Sequence, residues 1–420
     1  MALSAHVGTL VQPTSTGNQS TTAPGFQPLA VIFFAGEQTA AGNAVDMDHM
    51  FGAATSSTSR FVTATWALDA GIAGNRYRMH DNTKCITLIS TSGGVVSAAD
   101  FVSMDANGFT VNWTTANATQ RIIHYIALGG TDLTNAFIKQ FTSPTSTGNN
   151  SQTGVGFQPG CTIGASIGKN TAPPNSSTYN MWSIGFGISS TSRAATSFCG
   201  TPNSYNTAAY QRTAQVFVTP LADTTNSKFL EADLVSMDAD GFTWNWTTVN
   251  VSARYLWVLC LKGGQFQTVS FDQPSATGNQ AVTTSFQPVA ILLASMNQVA
   301  SINVLDRAAM SLGAASSTTA RGAIWSGDAD GGGAIVSDQA MATTQVITMW
   351  TEGTPTKNAE ADLASFNATD FTVNWGTVDA TARQVIGLVF GSAGGANTEG
   401  GEYYSTHEQP MYRQVRMVAI

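Results

Sequence analysis

One pattern occurs three times and decides the fold: Ala99–Trp113 (ADFVSMDANGFTVNW), Ala232–Trp246 (ADLVSMDADGFTWNW) and Ala361–Trp375 (ADLASFNATDFTVNW). In the first copy, apolar and polar residues alternate from Phe109 to Trp113, which places the aromatic residues on one face of a half-buried β-strand. A second apolar segment, Ala99–Met104, precedes this strand, and Asp105-Ala-Asn-Gly108 between them has the Asn-Gly chemistry of a tight turn. Each copy therefore predicts a β-hairpin.

Other landmarks recur in the same order along the chain. Pro13–Asn18 (PTSTGN) returns as Pro144–Asn149 (PTSTGN) and Pro274–Asn279 (PSATGN), and Phe-Gln-Pro follows each copy. The period of about 130 residues is the size of a complete domain and is too long for a solenoid or propeller repeat. We therefore predict three tandem domains, 1–131, 132–264 and 265–393, and a C-terminal arm, 394–420. The sequence leaves open whether the domains form a pseudo-threefold ring or a row.

The remaining segments of each unit also indicate β structure. Leu29–Phe34 is apolar on both faces, as expected of a strand in the middle of a sandwich, and Arg121–Leu128 is a longer strand rich in β-branched residues. Short strands separated by Gly, Pro, Asn and Ser at intervals of about ten residues are typical of a β-sandwich. The predicted fold class is all-β, with three antiparallel β-sandwich domains, jelly-roll-like in topology, and a C-terminal extension.

Composition excludes several classes of protein. The chain carries 18 Lys+Arg and 26 Asp+Glu, a net charge of −8, and only 10% charged residues, against about 25% in ordinary domains. No apolar run approaches the ~20 residues of a membrane-spanning helix, and no run of cations favours nucleic-acid binding. The four cysteines are too scattered for a disulfide framework or a CxxC metal site. We expect a folded protein without membrane insertion, whose surface is mostly Ser, Thr, Asn, Gln and Gly.

These motifs together resemble a repeated β-domain of tailed-bacteriophage virion structural proteins. The resemblance rests on the Thr-Gly-Asn turn, the Phe26-Gln-Pro28 step into an Ala-Val-Ile-Phe strand and the Gly108-Phe-Thr-Val-Asn112 hairpin strand, and it covers roughly 1–393. It implies a virion protein without catalytic activity, a capsid decoration or a tail protein, assembled in the host cytoplasm with other virion proteins as partners. The third copy departs from the pattern at Asn367–Asp370, so its hairpin turn is expected to differ.

No constellation of catalytic or metal-binding residues stands out, and we expect no catalytic, cofactor-binding or metal site. His6, His49, His80 and His124 all fall in the first unit, which excludes a histidine site shared by the three copies. His49 with Asp46 and Asp48 could form a metal site or part of a catalytic base, but we favour the interpretation that they are scattered polar residues of a loop. The Asp-Ala-Asp-Gly segments beginning at Asp238 and Asp328 suggest a calcium loop, but lack its other ligands and are better explained as hairpin turns.

Charges that recur in a charge-poor chain carry more information. Arginine recurs at 60, 193 and 321 and at 121, 254 and 383, and aspartate at 100, 233 and 362. We favour arginine–carboxylate pairs within each domain over contacts between units. We likewise favour core packing for Trp113, Trp246 and Trp375 over a sugar-stacking platform.

Trp325 precedes a glycine-rich segment and is expected to be exposed, which makes it the candidate residue for the alternative function, host-receptor or glycan binding. A third possibility, a polysaccharide-cleaving enzyme, needs two carboxylates. Asp105 and Asp238 recur, but Asn367 replaces them in the third unit. The tail Glu402–Ile420 is either an arm that adds to a neighbour's sheet or a segment that packs on the third domain.

Overall fold

The structure is a computed structural model that describes residues 2–69, 75–90, 93–200, 207–220, 227–300, 307–329, 336–351, 353 and 356–393. The predicted C-terminal arm lies outside these residues. The fold is all-β and is built from antiparallel sheets, as predicted. Among the residues described, no helix is long and apolar enough to cross a bilayer. We call the three sequence units repeat 1 (1–131), repeat 2 (132–264) and repeat 3 (265–393).

Strands follow one another in the same order in each repeat, with eleven strands each in repeats 1 and 2 and ten among the described residues of repeat 3. Those of repeat 1 are β1 (Leu3–Val11), β2 (Gly17–Thr21), β3 (Pro28–Ala35), β4 (Gly42–Val45), β5 (Met47–Ala54), β6 (Arg60–Ala67), β7 (Arg76–Asp81), β8 (Ile86–Ile89), β9 (Val95–Asp105), β10 (Gly108–Thr115) and β11 (Ile122–Gly130). Those of repeat 2 are β12 (Asn135–Thr142), β13 (Gly148–Gln152), β14 (Cys161–Ser166), β15 (Asn175–Thr178), β16 (Asn180–Gly187), β17 (Arg193–Gly200), β18 (Thr207–Arg212), β19 (Phe217–Pro220), β20 (Lys228–Asp238), β21 (Gly241–Thr248) and β22 (Tyr255–Lys262). Those of repeat 3 are β23 (Gln265–Asp272), β24 (Gly278–Thr283), β25 (Pro288–Ser295), β26 (Arg307–Ala315), β27 (Arg321–Ala329), β28 (Val336–Ala342), β29 (Ile347–Trp350), β30 (Lys357–Phe366), β31 (Asp370–Thr377) and β32 (Gln384–Gly391).

Each repeat forms one large and one small sheet. In repeat 1 the large sheet has the order β1-β11-β3-β5-β6-β7, the small sheet has the order β2-β10-β9-β8, and repeats 2 and 3 show the same orders. The predicted hairpin is present as β9 and β10, with Asp105 opposite Gly108. These orders do not confirm a jelly roll, because strands adjacent in sequence mostly stay within one sheet rather than alternating between two.

Apolar side chains are buried in two kinds of core. Within each repeat, one cluster fills the space between the large and the small sheet, and it includes Trp113, Trp246 or Trp375. A further cluster is formed by the opposite faces of the three large sheets and contains residues of every repeat, for example Phe51, Ile184 and Leu312. The strands of the large sheets are therefore buried on both faces, which explains why β3 is almost continuously apolar.

Candidate functional site: the junctions between repeats

Among the residues that the structure describes, two strands leave their own repeat and complete the sheet of a neighbour. β4 of repeat 1 pairs with β28 of repeat 3, with Val45 opposite Asp338. β15 of repeat 2 pairs in the same way with β7 of repeat 1, with Thr178 opposite Tyr77. Both strands have four residues, and in each case they cover the backbone groups at the edge of a large sheet. The exchange therefore links repeats 1 and 3 and repeats 2 and 1 through backbone hydrogen bonds.

A buried polar network joins side chains of all three repeats. Arg76 of repeat 1 donates to Asp328 of repeat 3 through Nε and Nη2, each at 2.7 Å, and both side chains are fully buried. Asn180 of repeat 2 donates to the same carboxylate at 2.7 Å. Removing one member of a buried ion pair leaves an uncompensated charge and costs about 3–5 kcal/mol. This network therefore fixes how the three repeats meet.

The network has no counterpart at the equivalent positions of the other repeats. The register places Thr207 and Ser337 where repeat 1 has Arg76, and Ala67 and Gly200 where repeat 3 has Asp328. A side chain at Gly200 would collide with the ion pair and with the Asn180 amide. The repeats have thus diverged at this junction so that one copy supplies the cation, another the anion and the third the space.

Three of the four histidines of repeat 1 are buried against other repeats. His49 Nδ1 lies 3.1 Å from Ser326 Oγ of repeat 3, and its ring packs on Trp182 of repeat 2 with centroids 4.3 Å apart. His80 Nε2 lies 2.9 Å from the carbonyl oxygen of Thr171 in repeat 2. His124 stacks on Phe34 and closely approaches Gly322 of repeat 3. Burial lowers the pKa of His49 and His80 to about 3 and that of His124 to about 4.

The prediction that His49, Asp46 and Asp48 are scattered loop residues is wrong for Asp48 and His49, which lie in strand β5. Asp48 and His49 are adjacent in strand β5, so they face opposite sides of the sheet and do not converge. Asp48 is buried, and its carboxylate has no hydrogen-bond partner among the described residues; burial together with the Glu37 carboxylate raises its pKa well above the usual value. The residues that the structure describes include no group of three or more His, Cys, Asp or Glu placed to hold a metal.

The predicted arginine–aspartate pairs within repeats are confirmed at the first set of positions. Arg60 lies 3.9 Å from Asp100, Arg193 lies 3.7 Å from Asp233, and Arg321 Nη2 donates to Asp362 at 2.7 Å. The second set has diverged. Arg121 pairs with Glu37 and Arg383 pairs with Asp379, whereas Arg254 donates to the Asn250 amide oxygen at 2.9 Å and has no carboxylate partner among the described residues.

The expected exposure of Trp325 is wrong. Its side chain is 1% exposed, because it lies within strand β27 and packs against Ala309 and Ala340 of the neighbouring strands. The segment that suggested exposure directly follows Trp325, but its first four residues, Ser326–Ala329, still belong to this strand. Trp113, Trp246 and Trp375 are also buried, as predicted. None of these four indole rings is thus available to stack on a sugar.

The acidic hairpin segments have different explanations. Asp238 accepts hydrogen bonds from Ser236 and Thr243, each at 2.6 Å, and Asp105 does the same in repeat 1. Asp240 accepts the backbone N–H of Gly154 at 2.9 Å, which supports the hairpin-turn reading of this segment. Asp328 instead holds Arg76 in the buried network, and 330–331 lie outside the described residues. These contacts use the carboxylate oxygens that calcium would need.

The third hairpin differs, as the sequence predicts. The Asn367 backbone N–H donates to the Asp370 carbonyl oxygen at 2.8 Å, and its side-chain amide donates to the Asp370 carboxylate at 2.5 Å. Asn367 therefore closes the turn that Asp105 and Gly108 close in repeat 1.

A cleft of about 490 Å³ lies between repeats 2 and 3. It is lined by Gln211, Arg212, Thr213, Ala214, Gln215, Ala300 and Gln384. Arg212, which lines this cleft, forms an ion pair with Glu231, and its Nε lies 3.7 Å from the carboxylate. Three glutamines and a balanced ion pair supply hydrogen bonds, but they do not form a nucleophile–base pair.

Sequence reasoning missed the residues that join the repeats. The available signal was the departure of single positions from the threefold pattern, such as Arg76, Asn180 and Asp328, each of which occurs in one copy only. No family model, curated protein or solved structure matches this chain.

Proposed function

We propose that this chain is a non-enzymatic structural protein of a bacteriophage virion, either a capsid decoration or a tail-attached component. In this proposal three homologous, jelly-roll-like β-sandwich domains surround a pseudo-threefold axis, as a trimer fused into one polypeptide. The observation that carries it is the shared core, to which all three large sheets contribute. The exchanged strands support the same arrangement, because repeat 1 completes repeat 3 and repeat 2 completes repeat 1 in one rotational sense.

Contacts between the remaining pair of repeats support a closed ring. Gln211 Nε2 of repeat 2 donates to the carbonyl oxygen of Gln384 at 3.0 Å, and its Oε1 accepts the backbone N–H of Met296 at 3.0 Å. Ser192 Oγ of repeat 2 lies 2.8 Å from Thr268 Oγ1 of repeat 3. Each repeat thus contacts both others, which is the arrangement of subunits in a cyclic trimer.

The outward-facing sheets suit dense packing against other proteins. Their edge strands β2 and β13 are Gly-Asn-Gln-Ser-Thr and Gly-Asn-Asn-Ser-Gln, which are polar but uncharged. Across the sheet, Ser20 bonds Thr110 at 2.7 Å, and Ser151 bonds Thr243 at the same distance. A surface with few charges meets little electrostatic repulsion when it is packed against copies or neighbours. This property favours an assembly component over a freely diffusing enzyme.

Mass spectrometry and electron cryomicroscopy of purified particles test the proposal. We expect the chain among the virion proteins, and density with threefold-related lobes on the capsid or the tail. Its absence from particles, or its recovery only from lysate, contradicts the proposal.

Deleting Glu402–Ile420 tests the arm separately: we expect unchanged stability and weaker incorporation, and equal incorporation would remove the arm hypothesis. Host-glycan binding remains the alternative, but the tryptophan that motivated it is buried.

A further inference from the structure

Three cationic side chains gather around one turn at the junction of repeats 1 and 2. The turn follows strand β14, and Gly168 adopts a φ of 63° there. Arg78 of repeat 1 reaches it and donates from Nη1 to the carbonyl oxygen of Ile167 at 2.5 Å. Lys169 follows Gly168, and its carbonyl oxygen accepts the backbone N–H of Tyr255 at 2.8 Å, which places the backbone of Lys169 next to the segment that carries Arg254. We call Arg78, Lys169 and Arg254 the cationic cluster.

Aromatic rings hold the two guanidinium groups. Arg78 Cζ lies 5.0 Å from the centroid of the Tyr179 ring, and Arg254 Cζ lies 4.7 Å from that of Phe229. A Cβ atom on Gly168 would collide with Met181 Sδ and lie 3.3 Å from Arg78 Nη1, so a side chain at this position would displace the residues around the guanidinium group of Arg78. Arg78 Nη1 and Arg254 Nη2 already donate to Ile167 and Asn250, and a guanidinium that is held through its face can bind an oxyanion through its remaining N–H groups.

No carboxylate balances the cluster among the residues that the structure describes. None of its members has an ion-pair partner there, and Arg78 is only 8% exposed and Lys169 only 3%. The Nε atoms of Arg78 and Arg254 are buried without a hydrogen-bond partner. Burial, and then the neighbouring Arg254, lowers the pKa of Arg78 to about 10, while burial and Arg78 lower that of Lys169 to about 8.

The equivalent junction of repeats 3 and 1 provides an internal comparison. There the register places Gln339 where repeat 1 has Arg78, and Gln38 where repeat 2 has Lys169. Arg121 takes the place of Arg254 and is paired with Glu37, at the position of Gly168. Two glutamines and a paired arginine, which together carry no unbalanced charge, are therefore sufficient to pack this kind of junction. At the junction of repeats 1 and 2, by contrast, Gly168 stands where the other junction has Glu37, and Arg78 and Lys169 add two cations.

We propose that the cationic cluster binds a small oxyanion, the carboxylate or phosphate group of a ligand that enters between repeats 1 and 2. Two guanidinium groups and an ammonium group supply charge-assisted hydrogen bonds of the kind that hold such groups. The half-exposed side chains of Arg254, Tyr179 and Phe229 form the solvent-facing side of the site. This site is independent of the proposed virion role.

Isothermal titration of the full chain with inorganic phosphate and with glucuronate, at constant ionic strength, tests the site and separates the two sources of oxyanion. We expect saturable binding of at least one of them and a rise in melting temperature with its concentration. Lys169→Gln and Arg78→Gln should each weaken binding by about tenfold, since each removes a charge-assisted contact. Lys262→Gln, at an exposed lysine in the same repeat, is the matched control and should bind like the wild type.

The Lys169→Gln variant keeps the test decisive if Arg78→Gln fails to fold. Gln38 and Gln298 occupy the equivalent positions of the other repeats, so the substitution introduces a residue that this turn already accommodates. Without anion, this variant should melt at or above the wild-type temperature, because it relieves repulsion from Arg78. Absence of saturable binding to the wild type, or unchanged affinity in Lys169→Gln, would overturn the proposal.

Discussion

Asp48 shows how a single residue can depart from the pattern of its repeats. The equivalent residues of the other two repeats are Met181 and Ala309, which are both buried and apolar. Asp48 occupies the same buried position without a hydrogen-bond partner among the described residues. A raised pKa means that the folded state holds a proton that the unfolded state releases. The contribution of Asp48 to stability is therefore greatest below the ordinary aspartate value and falls as the pH rises above it.

We expect Asp48→Asn to stabilise the protein at neutral pH. The substitution keeps the shape of the side chain and removes the free energy that is needed to keep the buried carboxyl protonated, so it should raise the free energy of unfolding at pH 8 by about 1 kcal/mol or more, since one pKa unit corresponds to about 1.4 kcal/mol. Urea unfolding at pH 5 and pH 8 measures the effect, and the gain should be larger at pH 8. Asp272→Asn, at an exposed carboxylate, is the control. An equal gain at both pH values would contradict this account of Asp48.

The buried histidines act in the opposite direction on acidification. Their pKa values are lowered, so their contribution to stability is complete above about pH 6.5 and is lost as the pH falls towards the folded-state values near 3 and 4. At pH 5 each should cost roughly 2 kcal/mol relative to neutral pH. Because each one contacts another repeat, acid should weaken the junctions first.

We expect His49→Met to reduce the loss of stability between pH 7 and pH 5. Met310 holds the equivalent position of repeat 3, so methionine suits this part of the shared core. Measured across this pH range, the free energy of unfolding should depend less steeply on pH than in the wild type, because unfolding of the variant takes up about one proton fewer. His6→Gln, at a partly exposed histidine, should change it less. A wild-type pH profile in the methionine variant would show that His49 does not titrate on unfolding.

At the scale of elements, the exchanged strands are the distinctive feature of the fold. β15 forms an antiparallel ladder with β7, in which Ser176 faces Met79 and Ser177 faces Arg78. In such a ladder, the N–H groups of successive residues point alternately towards and away from the partner strand. Two neighbouring serines therefore offer a test and its control within one strand.

We expect only one of the two variants Ser176→Pro and Ser177→Pro to disrupt the ladder. Proline removes an N–H group, and only one of these two residues directs its N–H group towards β7. Amide hydrogen exchange at Tyr77–His80 should accelerate in the variant whose N–H points to β7 and should stay near the wild-type rate in the other. Equal protection in both variants would mean that β15 does not pair with β7 in solution.

At the scale of the whole molecule, the shared core makes the repeats interdependent. Phe51, Ile184 and Leu312 are at most 1% exposed only because the three large sheets face one another. A single repeat would expose this face to water, at a cost of roughly 25 cal/mol per Å² of apolar surface. It would also lose the neighbour that completes its sheet edge or its buried ion pair.

We expect fragment 132–264, expressed alone, to be aggregated or largely unfolded, whereas the full chain unfolds cooperatively. Circular dichroism and analytical ultracentrifugation of the fragment measure this. Fragments 1–131 and 132–393, when co-expressed, should associate, because they regain the shared core and the exchanged strands. A monomeric, cooperatively folded 132–264 fragment would show that the repeat is self-sufficient.

The triplication, the hairpins, the buried tryptophans and the Arg60–Asp100 type of pair were predictable from sequence, because each depends on local alternation or on residues that recur in register. The burial of Trp325 was not, because a glycine-rich neighbour indicates a loop without saying where the preceding strand ends. Nor were the burial of His49 and of Asp48, because their surroundings are formed by other strands and, for His49, by other repeats. In the sequence these positions depart singly from the threefold pattern, but the pattern does not indicate which residues they contact.

The sequence by itself determined that the chain is built from three copies of one antiparallel β unit, because strand period and turn chemistry are local properties. Only the tertiary structure decided which repeat completes which sheet and which side chains meet at the junctions. Arg76 and Asp328 are 252 residues apart in the chain, and their pairing depends on three sheets packing together around the shared core. Such packing buries polar groups that look exposed in sequence, and it brings Arg78, Lys169 and Arg254 together from distant segments.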